Sequence, residues 1–321
     1  MTIKRLISSP GKIYLLSIAI ITVTCSNPEI SKMKDGLESF DVSPDGKSLI
    51  FTWNIGGKSC LFHSDIDGKN PKLLINSDKH ISVYRPRFSP DGRKIVFVGG
   101  IPDTFNGAIW IANISGDSLK QITDTSGIKT EAVFSNNGES IYFAQANEYA
   151  SYSPLANRAA HDFDIYSVAL NGGEVSKISD LKAYSLANIS DVDSNRLILD
   201  MKGTESGVFF YEKGKSVLNK VSFKNDSLSY SKGYSNPILI NKDNIICASY
   251  YVLVDIDMKI QQEKVILPSD NSSIRVIRYN KGLGRLFIQK GDKLNYIHSM
   301  NLDGSDLKNI PIFINSKTTK N

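Results

Sequence analysis

The residue types best suited to chemistry or recognition fall together in one stretch, NEYASYSPLANRAAHDFD, from Asn147 to Asp164. An imidazole (His161) beside two carboxylates (Asp162, Asp164) is the kind of set that does acid–base work or holds a divalent cation. Tyr149, Tyr152 and Arg158 are of the types that carry most of the energy in binding interfaces. Elsewhere the candidates thin out. His63, His80 and His298 stand in unrelated positions, so no histidine-built metal centre is expected, and neither a metal nor a cofactor is assigned. DIDG at Asp65–Gly68 and DVDSN at Asp191–Asn195 open like a calcium loop but lack its closing acidic residue. They read instead as turns in which Asp bonds its own backbone. No G-x-S-x-G, H-E-x-x-H, C-x-x-C or complete phosphate loop occurs, and no catalytic residue is assigned.

What surrounds that stretch is a repeat. FDVSPDGKSLIFTW, PRFSPDGRKIVFVGG and AVFSNNGESIYFAQA place Gly46, Gly92 and Gly138 at intervals of 46 residues. A second element, CLFHSDIDG, AIWIANISG or DIYSVALNGG, ends in Gly68, Gly116 or Gly172, which follow the first glycines by 22, 24 and 34 residues. The third unit is therefore the longer one, and the excess is the Asn147–Asp164 stretch. Each unit reads as four short strands: a tract ending at the serine, a tight turn at PDG or NNG, an alternating strand, a third strand, a second turn and a short fourth strand.

A sheet of this kind has two apolar faces, and stacking such sheets radially into a closed ring covers both. Weaker units over 184–223, 234–267 and 274–314 complete the count. The expectation is an all-β six-bladed propeller of four-stranded blades, one domain over 36–316 behind a tether at 25–35. Its blades fall at about 38–79, 83–125, 129–180, 184–223, 234–267 and 274–314. The extra residues join the second and third strands of blade 3, on the face where the links between blades also emerge. Tyr84 and Arg85, from the neighbouring link, are the next candidates on that face. His298 aligns with Phe62, Trp110 and Tyr166 on the third strand and reads as a packing residue. Cys60 in blade 1 and Cys247 in blade 5 are expected too far apart to bridge, leaving two free thiols.

Across 321 residues, 38 Lys and Arg face 33 acidic residues, but Lys4, Arg5 and Lys12 lie in the first 24, leaving 35 against 33. Nothing in that balance makes the concentrated basic face that nucleic acid requires. The basic start leads into an apolar run from Ile13 to Thr24, short of the ~20 residues that cross a bilayer as a helix, and residues 1–24 read as a secretory signal. A Cys directly after such a run resembles a bacterial lipoprotein signal. That resemblance implies acylation of Cys25, membrane attachment through lipid only, and a periplasmic or outer-membrane address. A plain signal peptide cut a few residues later is the alternative.

Ser-Pro-Asp-Gly, an alternating strand and an aromatic-x-x-(N/D)-x-(D/S)-G strand together resemble the WD40-like (PD40) repeat of TolB-type propellers. The likeness is clearest over 40–125, and good over 129–180 and 274–310. It implies a monomeric six-bladed propeller of the cell envelope whose work is protein binding, the partner being an envelope protein or a peptidoglycan-associated complex. The α/β domain that precedes the propeller in TolB itself is not expected here. Prolyl-oligopeptidase-like enzymes also carry such propellers, but beside a hydrolase domain with its own nucleophile motif. Oligogalacturonate lyases build a manganese site from several histidines. His161, Asp162 and Asp164 therefore keep an alternative open, a carbohydrate-active propeller that is either a glycan-binding module or a metal-dependent lyase.

Overall fold

The computed structural model describes residues 35–77, 81–101, 104–151, 157–203, 205–221, 233–291 and 295–314. The signal segment, Cys25, His80 and Tyr152 lie outside the described residues. Six four-stranded antiparallel sheets follow one another along the chain, each built from consecutive strands, and the expected six-bladed propeller is what they form. Blade 1 is β1 (Gly36–Val42), β2 (Ser48–Ile55), β3 (Lys58–Asp65) and β4 (Lys72–Ile75); blade 2 is β5 (Ser82–Phe88), β6 (Lys94–Gly100), β7 (Gly107–Asn113) and β8 (Lys120–Gln121). Blade 3 is β9 (Ile128–Phe134), β10 (Ser140–Ser151), β11 (Arg158–Ala169) and β12 (Ser176–Lys177); blade 4 is β13 (Ser185–Asp191), β14 (Arg196–Lys202), β15 (Gly207–Glu212) and β16 (Val217–Lys220). Blade 5 is β17 (Tyr234–Leu239), β18 (Asn244–Ser249), β19 (Val252–Asp257) and β20 (Gln262–Leu267); blade 6 is β21 (Ile274–Asn280), β22 (Arg285–Lys290), β23 (Tyr296–Asn301) and β24 (Lys308–Pro311).

The repeated turn is held by its own side chains. Ser43 Oγ donates to Asp45 Oδ1 at 2.6 Å and accepts from Ser48 N at 2.9 Å; Ser89 with Asp91 and Lys94, and Ser135 with Asn137 and Ser140, repeat both bonds. Bonding to serine holds the Asp45 and Asp91 carboxyls below their ordinary range. The glycine of the second turn answers a different need. A Cβ on Gly68 would lie 2.5 Å from Pro311 O of blade 6, and one on Gly116 would lie 2.7 Å from Leu74 O of blade 1. The second turns of blades 1 and 2 thus pack against the outer strand of the preceding blade at a distance that excludes any side chain.

The hydrophobic core is not central but divided among the seams. Strand alternation sends Leu49, Phe51 and Trp53 of β2 toward blade 6 and Ile50 toward blade 2; on β6, Ile95 and Phe97 face blade 1 while Val96 and Val98 face blade 3. Six buried clusters result, one at each blade-to-blade interface. Cys60 and Cys247 sit buried in two of them as free thiols. His298 occupies the aromatic position of the third strand, buried, with Nδ1 2.7 Å from Asn309 Oδ1.

The innermost strands β1, β5, β9, β13, β17 and β21 pack side by side around the axis, and each carries a register shift against its neighbour. In blades 2, 4 and 5 the bulge holds a left-handed residue, Arg85 (φ 48), Asn188 (φ 56) and Asn236 (φ 54). Such bulges bend a strand and re-aim a side chain. Here they turn polar groups toward the axis.

Blades 1 and 6 share no strand, so the ring is closed by packing and by side-chain contacts, among them two clasps onto backbone carbonyls. Buried Gln289 donates through Nε2 to Leu37 O at 2.8 Å, and Asn280 Nδ2 donates to Ser43 O at 2.8 Å. Gln289→Leu keeps the volume but leaves Leu37 O without this donor. The variant is expected to lose ~1–3 kcal/mol of unfolding free energy in urea titration. Unchanged stability would mean that packing alone holds the seam.

Candidate functional site

The extra residues of blade 3 lengthen two strands rather than forming a loop. β10 and β11 are 12 residues each, where the second and third strands of other blades have six to eight. They stay paired through Glu148↔His161 and Tyr149↔Ala160 to Ser151↔Arg158. Asp164 anchors the base of this hairpin. Fully buried, it accepts from Ser179 Oγ at 3.0 Å, Asn147 Nδ2 at 3.0 Å and Leu181 N, and pairs with Lys177 Nζ at 2.9 Å. Asn147 also donates to Asp162 O at 2.6 Å and accepts from the Tyr166 hydroxyl at 2.6 Å. Asp164 thus uses its oxygens to hold the base of the hairpin.

On this pedestal Tyr149 gathers two partners. Phe105, from the β6–β7 connection of blade 2, stacks on it at 4.2 Å and 24°; Arg158 lies 5.1 Å from its ring centre and donates through Nη2 to its carbonyl at 3.0 Å. Such contacts contribute ~0.5–1.5 kcal/mol each and hold the shelf in one arrangement. Tyr84 is exposed on the same face, whereas Arg85, aimed inward by the bulge, pairs with Glu131 Oε2 at 2.9 Å and does not join the shelf. Strand direction puts the second-to-third-strand connections and the blade links on one face of the ring. Among the described residues, the exposed aromatics Tyr84, Phe105, Tyr184, Tyr250, Tyr251 and Phe313 all lie there, while exposed Leu119, Val175, Ile260, Leu283 and Leu307 mark the turns of the other face.

His161 is buried under the hairpin with Nδ1 3.3 Å from Asp162 Oδ1 and Nε2 4.0 Å from Glu148 Oε2. One donor atom from each of the three falls within 4.8 Å of the others. The carboxylates, however, flank different ring nitrogens, which is the geometry of an imidazole clasped between two acids rather than of three donors aimed at one ion. Glu148 enters this group only through the hairpin register. The two calcium-like sequences are self-satisfied turns: Asp193 Oδ1 accepts from Asn195 N and Arg196 N, and Asp67 Oδ1 from Lys69 N.

A second polar set lines the channel. Asp41 accepts from Phe88 N of blade 2 at 2.9 Å, and Glu131 of blade 3 accepts from Ile189 N of blade 4 at 2.6 Å. Asp191 of blade 4 accepts from Asn136 N of blade 3 at 2.8 Å, and Asp200 accepts from Asn188 Nδ2 at 2.6 Å and from Asn236 N of blade 5 at 3.3 Å. Each carboxylate hooks the backbone of a neighbouring blade. Burial, reinforced by the Glu131 charge, pushes Asp200 up to about 7 against the pull of Asn188, Asn236 and Arg85.

The model of the family described as PD40, TolB beta propeller domain, matches residues 27–263. The Tol-Pal system protein TolB of Francisella tularensis subsp. tularensis is 27% identical over 120 residues, a match covering 37% of this chain and 27% of that protein. Among solved structures, TolB from Acinetobacter baumannii is similar with a TM-score of 0.61 at 18% identity, over 86% of this chain and 63% of that one. An oligogalacturonate lyase in complex with manganese is similar with a TM-score of 0.58 at 11% identity, over 86% and 77%. The chain thus spans less than two thirds of the TolB proteins it matches, and at these identities the solved structures speak for the fold alone.

The channel carboxylate gives a pH signature. Between the unfolded value of 3.8 and the folded value of about 7, native Asp200 keeps a proton that the unfolded chain releases. Its contribution to stability therefore falls as pH rises through that window and is lowest above it. Asp200→Asn removes this dependence. Relative to wild type, the variant is expected to gain up to ~4 kcal/mol between pH 4 and 8 in urea unfolding. A difference that does not vary with pH would show that Asp200 ionises at its ordinary value.

Proposed function

The chain belongs to the TolB β-propeller (PD40) family, and from that premise we propose that it is a non-catalytic binding scaffold of the cell envelope, exported and held there by lipid at Cys25. Its partner is an envelope protein or a peptidoglycan-associated complex. The observation that carries this reading is the segregation of exposed aromatic side chains onto one face, where the blade 3 hairpin rises. Aromatic side chains with an arginine among them supply large, rigid contact area at low entropic cost, the composition of interface hot spots. The shelf of Phe105, Tyr149 and Arg158 is the central contact, with Tyr84 and Tyr250 exposed on the same face. The near-balanced charge of the chain beyond residue 24 argues for recognition by shape and aromatic contact rather than by long-range attraction. A relative named for the Tol-Pal system fits such a role.

The clasped His161 with Asp162 and Glu148, beside an exposed aromatic shelf, favours one rival: a carbohydrate-active propeller that stacks sugar rings on Tyr149 and Phe105. One comparison separates the two. Wild type and a Phe105→Ala, Tyr149→Ala, Arg158→Ala variant are used to capture partners from the native envelope. The scaffold reading expects a specific protein to be retained by wild type and weakened roughly tenfold or more in the folded variant. Capture of no protein, with metal-dependent turnover of an oligosaccharide by wild type, would replace the scaffold with the lyase. For the anchor, metabolic labelling with a fatty acid is expected to mark wild type and not Cys25→Ser; an unlabelled wild type with its N-terminus beyond Cys25 would establish the plain signal peptide.

A further inference from the structure

The opposite end of the channel holds a different chemistry. The inner strands run toward the PDG-turn face, so their last residues form its rim, and five of them enclose a cavity of about 240 Å³ lined by Asp41, Arg87, Ser190, Ile238, Leu239 and Arg278 among others. Taking ~30 Å³ per water, that is room for roughly eight waters, or for one or two amino-acid-sized groups. Two guanidinium groups, from blades 2 and 6, converge there on the single carboxylate of Asp41. Arg278 Nε lies 3.1 Å from Oδ1 and Arg87 Nε 3.4 Å from Oδ2, the three side chains being only 11–19% exposed.

The charges do not balance. Asp41 is shared by two arginines and by Phe88 N, and Asp191 across the pocket is taken by Lys213 Nζ at 2.6 Å and by Asn136 N. Lys281 stands on the adjoining rim. Moreover, Arg87 Nε and Arg278 Nε meet Asp41 as ion pairs without good hydrogen-bond geometry, so one carboxylate serves two guanidinium groups incompletely. Burial, and after it the neighbouring Arg87 charge, pulls Arg278 down to about 9 against the opposing pull of Asp41. The other wall, beyond Ser190 and Asp191, carries Val192, Ile238 and Leu239 of blades 4 and 5, half-buried residues that pack into the seams and leave apolar surface on the cavity.

We propose that the channel mouth on the turn face binds an organic carboxylate with an apolar body, its oxygens taken by Arg87 and Arg278 and its side group lying against Ile238 and Leu239. A guanidinium presents a planar fork of donors that matches a carboxylate, and the facing apolar wall selects against a bare inorganic anion. Two sources supply this chemistry, the free C-terminus of a peptide ending in an apolar residue and a small branched carboxylic acid.

Isothermal titration of the full-length protein tests it with four probes: acetyl-Ala-Leu with a free carboxylate, the same peptide as its amide, 4-methylpentanoate and inorganic phosphate. The peptide acid is expected to bind at least about tenfold more tightly than the amide and than phosphate, since the charge-assisted bonds and the apolar contact are then made together. Equal affinity of 4-methylpentanoate assigns the site to a free acid, and weaker affinity assigns it to a peptide terminus; both support the carboxylate site. Arg87→Gln leaves Asp41 paired with Arg278 and is expected to weaken binding at least about tenfold. Leu239→Glu, which keeps both arginines and sets a competing carboxylate on the apolar wall, should do the same if the first variant does not fold. Acid and amide binding alike, phosphate matching the peptide acid, binding that survives both folded variants, or no binding in the millimolar range would each overturn the proposal.

Discussion

Everything in this molecule depends on the fact that a four-stranded blade is apolar on both faces. Ile50 and Phe51 are adjacent on β2 yet both wholly buried, one against blade 2 and the other against blade 6. No blade can satisfy that alone, and a linear stack would leave its two ends bare. Closing the ring covers every face, which is why the buried residues divide into clusters at the seams with none at the centre. The centre is left to polar groups, and the carboxylates there act on the same seams. Asp41, Glu131, Asp191 and Asp200 each reach a backbone amide of a neighbouring blade, adding directional bonds to interfaces that apolar packing would leave free to slide.

Sealing the ring between the first and last blades without a shared strand places unusual weight on side chains. The seam between blades 1 and 6 buries Leu37, Phe40, Phe51, Phe62, Phe287 and Ile312, and Gln289 and Asn280 set its register through backbone carbonyls. Hydrophobic burial at ~25 cal/mol per Å² supplies the strength. Hydrogen bonds to fixed carbonyls supply the alignment, because an apolar interface tolerates slippage that a buried amide does not.

The repeat was legible because its turn is a local device. Ser43, Asp45 and Gly46 satisfy one another within a few residues, so the same letters recur wherever the turn does, and the alternation of β2, β6 and β10 follows from two buried faces. The blade 3 excess was equally plain from spacing. What it becomes was not, because the continuation of β10 and β11 rests on Asp164 meeting Ser179, Leu181 and Asn147, contacts made across the fold. The pairing of Tyr149 with Phe105 joins two blades, and that of His161 with Glu148 needs the hairpin register. Arg85 shows the limit most clearly. Its place in an inner strand could be read, but its direction is set by a bulge. One further signal stands in the sequence itself: Asp41 and Arg87 each lie two residues before the turn serine, charged side chains at the ends of inner strands.

The two faces of the ring differ for a reason rooted in those turns. A residue inserted between Ser43 and Ser48 would break the bonds from Ser43 Oγ and shift the register of β1 against β2, moving buried side chains to the wrong seam. The three serine turns are therefore held to one length, and the rim beside them varies through the identity of side chains at the strand ends, such as Arg87 and Arg278. On the other face a hairpin can lengthen at small cost, because each added pair keeps its ladder hydrogen bonds, as β10 and β11 do as far as Ser151 and Arg158. Length, aromatic area and new shape accumulate there. A compact charged socket and a broad aromatic platform are thus the two kinds of site that this ring can support, one at each end of the same channel.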